Sequence, residues 1–116
     1  MNNKLKLAIE IARGIQHDKY RMACVVTNKR DRVISVGINS YTKSHPKQLF
    51  YAHKSGNNDK IYLHAEISAL IRCREKPWAI YIARVNRSGK PKLAKPCRGC
   101  EIAIRDANIK RIMYTF

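Results

Sequence analysis

Acidic side chains are scarce in this chain. It has 8 Asp and Glu against 24 Lys and Arg, a formal net charge of +16 over 116 residues. So few carboxylates cannot neutralise the cations internally, and an excess of this size calls for a polyanionic partner, nucleic acid being the usual one for a compact basic domain. A free nucleotide carries only about two charges on its phosphate and does not demand it. Long apolar runs are missing as well. None approaches the ~18–20 residues that cross a bilayer, and the first six residues lack the apolar core of a secretory leader. The expected compartment is the cytoplasm, that of a virus-infected cell included, and no membrane partner is expected. No internal repeat or low-complexity tract is visible, and the length suits one domain.

Cysteine is limited to Cys24, Cys73, Cys97 and Cys100. Cys24 lies in an apolar run and Cys73 in a helical pattern, which reads as two plain buried or half-buried thiols. A Cys-x-x-Cys pair in a cytosolic chain belongs to metal or redox chemistry rather than to a structural disulfide.

Periodicity places the elements. Leu5, Ala8, Ile9, Ala12 and Ile15 recur at helical spacing, so residues 3–16 are expected to form an amphipathic helix. Residues 21–27 and 33–38 are short, apolar and β-branched, and residues 28–32 between them read as a polar hairpin connection. Residues 40–61 show little periodicity and are expected to be a long loop, a length that usually signals function or disorder. A second helix is expected over 64–75, stopped by Pro77. A third strand follows over 78–83, then a basic turn over 86–92. A third helix over 97–107 and a last strand over 110–116 complete the order.

Two short motifs stand out: His64-Ala65-Glu66 and Pro96-Cys97-Arg98-Gly99-Cys100. One imidazole and two thiolates suit zinc, and three protein ligands leave a fourth position for water. The i, i+3 spacing of Cys97 and Cys100 puts both sulfurs on one face of a first helical turn, where thiolates are favoured. Glu66 is then free to move protons rather than bind metal. A histidine-x-glutamate followed at a distance by proline-cysteine-x-x-cysteine is the signature of zinc nucleobase deaminases. On these motifs the chain resembles the cytidine and deoxycytidylate deaminase superfamily, over about residues 4–115.

The resemblance implies an α/β fold of three layers. A mixed sheet of four strands in the order 2-1-3-4 would carry helices on both faces, and two helix N-termini would converge to assemble Zn2+ on His64, Cys97 and Cys100. It implies hydrolytic deamination with Glu66 as the proton carrier and the backbone N–H of Ala65 holding the developing oxygen. It assigns Asn39, in Gly37-Ile38-Asn39, to the sugar of the target nucleotide; without the resemblance a turn asparagine is the simpler reading. Larger relatives carry a further helix and strand, so the fourth strand is expected as an edge open to pairing with another chain, a second copy in a homo-oligomer included.

The substrate is open at this level. The charge favours cytosine in single-stranded nucleic acid. Lys43, His45, Lys47 and Lys54, interleaved with Tyr41, Phe50 and Tyr51, are candidate contacts, as are Arg84, Arg87 and Lys95 before the cysteines. For His45, as for His17 and His53, an exposed loop role is the plainer alternative, and residues 49–51 could equally pack on the core. The compact size favours a free nucleotide such as deoxycytidylate. Ala94-Lys95 replaces the serine-tryptophan pair common in polynucleotide cytosine deaminases, and His64 to Ile67 with Ala69-Leu70 is locally similar to the tRNA adenosine branch. A non-catalytic zinc module, closed by Cys73 or His53 as a fourth ligand, is the reading outside enzymes.

Overall fold

A computed structural model describes residues 2–16, 20–56 and 62–116. His17 and the end of the 40–61 stretch, Lys60 included, lie outside the described residues. Strand β1 (Arg21–Thr27) pairs antiparallel with β2 (Val33–Ile38) on one edge and with β3 (Ala79–Val85) on the other. The far edge of β3 is shared. Strand β5 (Arg111–Tyr114) runs parallel along its first half, and the two-residue β4 (Pro91–Lys92) runs antiparallel along Arg84 and Val85. The four main strands thus follow the expected order, and β4 is an addition. Buried Thr115 joins the three segments: its Oγ1 donates to Lys92 O at 2.6 Å and accepts from Arg84 N at 3.1 Å.

Strand alternation sorts the core into two faces. Ala23 and Val25 of β1, with Ala79, Tyr81, Ala83 and Val85 of β3, meet Leu5, Ala8, Ile9 and Ala12 of helix α1 (Asn3–Arg13). Cys24, Val26, Ile80 and Ile82 point the other way, against Ala65 and Ala69 of α3 (Ala65–Arg72) and Ile104 of α4 (Arg98–Asp106). This is the expected three-layer α/β arrangement. Asn2 Oδ1 caps α1 by accepting from Lys4 N and Leu5 N. The helix ends at Arg13, short of the expected 16, because Gly14 forfeits helical stability.

Residues 40–61 depart from expectation. They contain helix α2 (Pro46–Lys54), with Pro46 in its first turn and His45 Nδ1 accepting from Lys47 N at 3.0 Å. The helix buries only Gln48 and Ala52, a stripe too thin to register as periodicity. It forms because it lies against α4, where Tyr51 donates its hydroxyl to Asp106 at 3.0 Å and the Tyr51 carbonyl lies against Gly99. Leu49 and Phe50 stay exposed.

Candidate active site

Helices α3 and α4 begin at the same end of the sheet, with His64 and Cys97 as their N-cap residues. Gly37 lets α3 approach, since a Cβ there would run into Ala65 O and Ala69 N. Ser35 Oγ reinforces the contact by donating to Ala69 O at 2.6 Å. His64 Nδ1 consequently lies 3.6 Å from Cys97 Sγ and 3.4 Å from Cys100 Sγ, across 33 residues of sequence in the first case. A tetrahedral zinc with Zn–N of about 2.0 Å and Zn–S of about 2.3 Å separates nitrogen from sulfur by about 3.5 Å. The three ligand atoms therefore fit the ion without rearrangement, and among the described residues this group has three members. Cys73, the proposed closing ligand, sits past the opposite end of α3 and outside it. Cys24 is buried and Cys73 half-buried, both as free thiols.

The electrostatics suit a metal. Cys97 is lowered to about 3, first by a hydrogen bond from the Cys100 thiol and then by His64 and the helix-start amide of Cys100, against the cost of burial. Cys100 is pushed up by sharing that proton and by burial. The pair holds one thiolate and one proton, and a soft dication displaces the proton.

Glu66 is 2 % exposed, and its Oε1 has no hydrogen-bond partner. Burial raises its pKa, while its own backbone N–H and His64 pull the other way. An orphaned carboxylate oxygen beside a metal-binding triad is a group whose partner arrives from outside the chain. His64, Cys97 and Glu66 open into a cleft of about 320 Å³ lined as well by Tyr20, Met22, Asn39, Ser40, Tyr41, Tyr62, Leu63 and Lys95.

The other expected site residues are placed unevenly. Ala65 is the first residue of α3, a position whose N–H has no acceptor within the helix. Asn39 lines the cleft, but its amide already bridges β1: Oδ1 accepts from Met22 N at 3.0 Å and Nδ2 donates to Tyr20 O at 2.8 Å. Lys95 lines the cleft, and Arg84 stacks on Tyr20 with 3.9 Å between guanidinium and ring centroid. The remaining candidates do not line the cleft. His45 is spent capping α2, Lys47 lines a separate hollow between α2, α3 and α4, and Lys54 pairs with Asp106. Lys43 is exposed, its carbonyl accepting from Leu63 N. Arg87 belongs to the turn that Arg13 Nε holds through Gly89 O at 2.8 Å, beside the end of α1.

Gln48 escaped the sequence reading. It is buried on α2, and its Oε1 accepts from His64 N at 3.0 Å, which fixes the backbone of the ligating histidine. Histidine-proline at 45–46 followed by a polar-apolar nonapeptide was the available signal, proline being favoured in a first helical turn.

A histidine and two cysteines on converging helix starts form a group able to hold a metal ion, with a buried glutamate beside them. Residues 2–116 match the model of the cytidine and deoxycytidylate deaminase zinc-binding region, and the chain belongs to that family. No curated protein matches it significantly. Among the described residues no helix is long and apolar enough to cross a membrane.

Proposed function

We propose that the protein hydrolytically deaminates a nucleobase presented in a single strand of nucleic acid, with cytosine as the favoured base. The observation that carries the reaction class is Glu66 Oε1, buried and unpartnered beside the His64, Cys97 and Cys100 triad. Zinc held by the triad supplies Lewis acidity that makes water nucleophilic near neutral pH. Glu66 takes the proton from that water, delivers one to the ring nitrogen and assists the departure of ammonia. Cytosine and water thereby give uracil and ammonia, with no change of oxidation state. The N–H of Ala65, unused by the helix, donates to the oxygen that develops at the attacked carbon. Asn39, whose amide braces the start of β1 and also meets Tyr41, offers the sugar the second lone pair of its Oδ1.

The single strand is supported by the rim. Tyr20 and Tyr62 are 58 % and 47 % exposed. Stacking rings beside Lys95 and the Tyr20–Arg84 pair suit bases and phosphates that flank a target. A free nucleotide is the second reading, favoured by a cleft of about 320 Å³, the size of a small-molecule site. Purified protein is offered dCMP, cytidine, single-stranded DNA and RNA in parallel, and products are identified by mass alongside ammonia release. The proposal expects turnover on a strand that falls steeply with added salt. Turnover confined to dCMP or cytidine transfers the site to the second reading, and adenine conversion reassigns the base.

A further inference from the structure

A second concavity lies at the opposite end of the sheet. It encloses about 440 Å³ and is lined by Lys29, Arg30, Arg32 and Lys76, with Asn28, Glu75, Pro77 and Trp78. Four cations face one carboxylate. Met22 belongs to the catalytic cleft and Asn28 to this one, and six residues of extended chain separate them, about 20 Å.

The site is built rather than incidental. Asn28 Oδ1 accepts from Arg30 N at 3.0 Å and Arg32 N at 3.1 Å, so the β1–β2 connection is a closed loop that presents its cations in fixed order. Asn28 N and Arg32 O close it from the other side at 3.0 Å. Trp78 is anchored through its backbone: its N–H donates to Thr27 O at 2.8 Å, and its carbonyl accepts from Lys110 N and Arg111 N. One part of the ring packs on the α1-side core and the rest faces the concavity. Lys29 Nζ lies over the ring in a cation–π contact, 5.4 Å from its centroid, and its flexible side chain must swing aside for a base to stack on that face. The ion pairs Lys4–Asp31 and Lys54–Asp106 use none of the four lining cations.

We infer that this concavity is a second, non-catalytic site for a nucleotide unit, its phosphate held by Lys29, Arg30, Arg32 and Lys76 and its base laid on Trp78. A concave surface focuses the field of clustered cations. An aromatic face beside them gives a base about 1–3 kcal/mol of stacking, whatever its identity. The chemistry is shared by a free nucleotide and by a nucleotide within a strand. The inference does not depend on what the catalytic cleft deaminates.

Trp78 is the only tryptophan in the chain, so its fluorescence reports on this site alone. Zinc-loaded protein carrying Glu66→Gln, to suppress turnover, is titrated in low salt with ATP and, separately, with a thymidine dodecamer, which offers no amine to the active site. Saturable quenching is expected, with affinity at least tenfold weaker in Lys29→Ala/Arg32→Ala. Both side chains are exposed, and a circular dichroism melt confirms that this variant folds; Lys76→Ala provides an independent second test. Quenching by ATP identifies a free nucleotide as ligand, and quenching by the dodecamer alone identifies a strand. No quenching by either at millimolar concentration, or quenching unaltered by both sets of substitutions, overturns the inference. Product formation at the catalytic cleft is a separate readout and is not moved by that failure.

Discussion

The two ends of the sheet are both polar and both lie beside loops, yet they are built on opposite plans. At the β1 start, Glu66 and Cys100 are buried and His64 and Cys97 half-buried. Glu66 is 2 % exposed, and the triad rests on helix starts pressed against Gly37 and held by Gln48. At the β1 end, Lys29, Arg30, Arg32 and Lys76 are exposed, and order comes from the loop backbone. Burial raises Glu66, and the hydrogen bond between the two cysteines lowers Cys97 while it raises Cys100. Exposed cations are accessible to anions. The first plan suits a reaction and the second suits binding.

The sharpest test of this contrast is Glu66→Gln. It keeps the triad and is expected to retain zinc by atomic absorption while losing about 10²–10⁴-fold or more in turnover. Retained activity removes Glu66 from the mechanism. Gly37→Ala is next, because it forces α3 off β2. We expect a loss of about 1–3 kcal/mol in urea unfolding, with weakened zinc affinity as His64 moves. Gln48→Leu keeps the volume but leaves His64 N without its acceptor, and a 10–100-fold loss of zinc affinity is expected with little change in overall fold. Unchanged affinity would make Gln48 a packing residue only.

The smallest effect is in pH. Glu66 is raised above the usual carboxylate range by burial. As a proton acceptor it must be ionised, so kcat/KM is expected to fall as pH drops through the titration of Glu66. Folding of the metal-free protein has the opposite sign. A raised folded-state pKa stabilises below the unfolded value, and that contribution disappears as pH rises through the folded value. Urea melts after chelation test this, and zinc is expected to diminish the effect by favouring the carboxylate.

Much of the end that carries the triad was legible. His64, Glu66, Cys97 and Cys100 carry their chemistry in residue type and spacing, and β1, β2 and β3 are apolar enough to announce themselves. Helix α2 was not, because Gln48 and Ala52 are its only buried residues and its stability comes from α4. The basic residues divided in a way that composition could not foresee. Lys95 lines the cleft and Arg84 stacks on its rim, whereas Lys54 is spent on Asp106 and Arg87 belongs to a turn beside α1. The cavity around Trp78 joins residues 28–32 to 75–78, and no local pattern links them.

Sequence alone determined the metal chemistry and the layering, since ligand identity and strand alternation are properties of residues in order. Tertiary structure decided the distance between His64 and the cysteines, the role of Gln48 and the separation of the two concavities. Those depend on which segments meet across the sheet, and contact between segments distant in sequence is set by packing rather than by local preference.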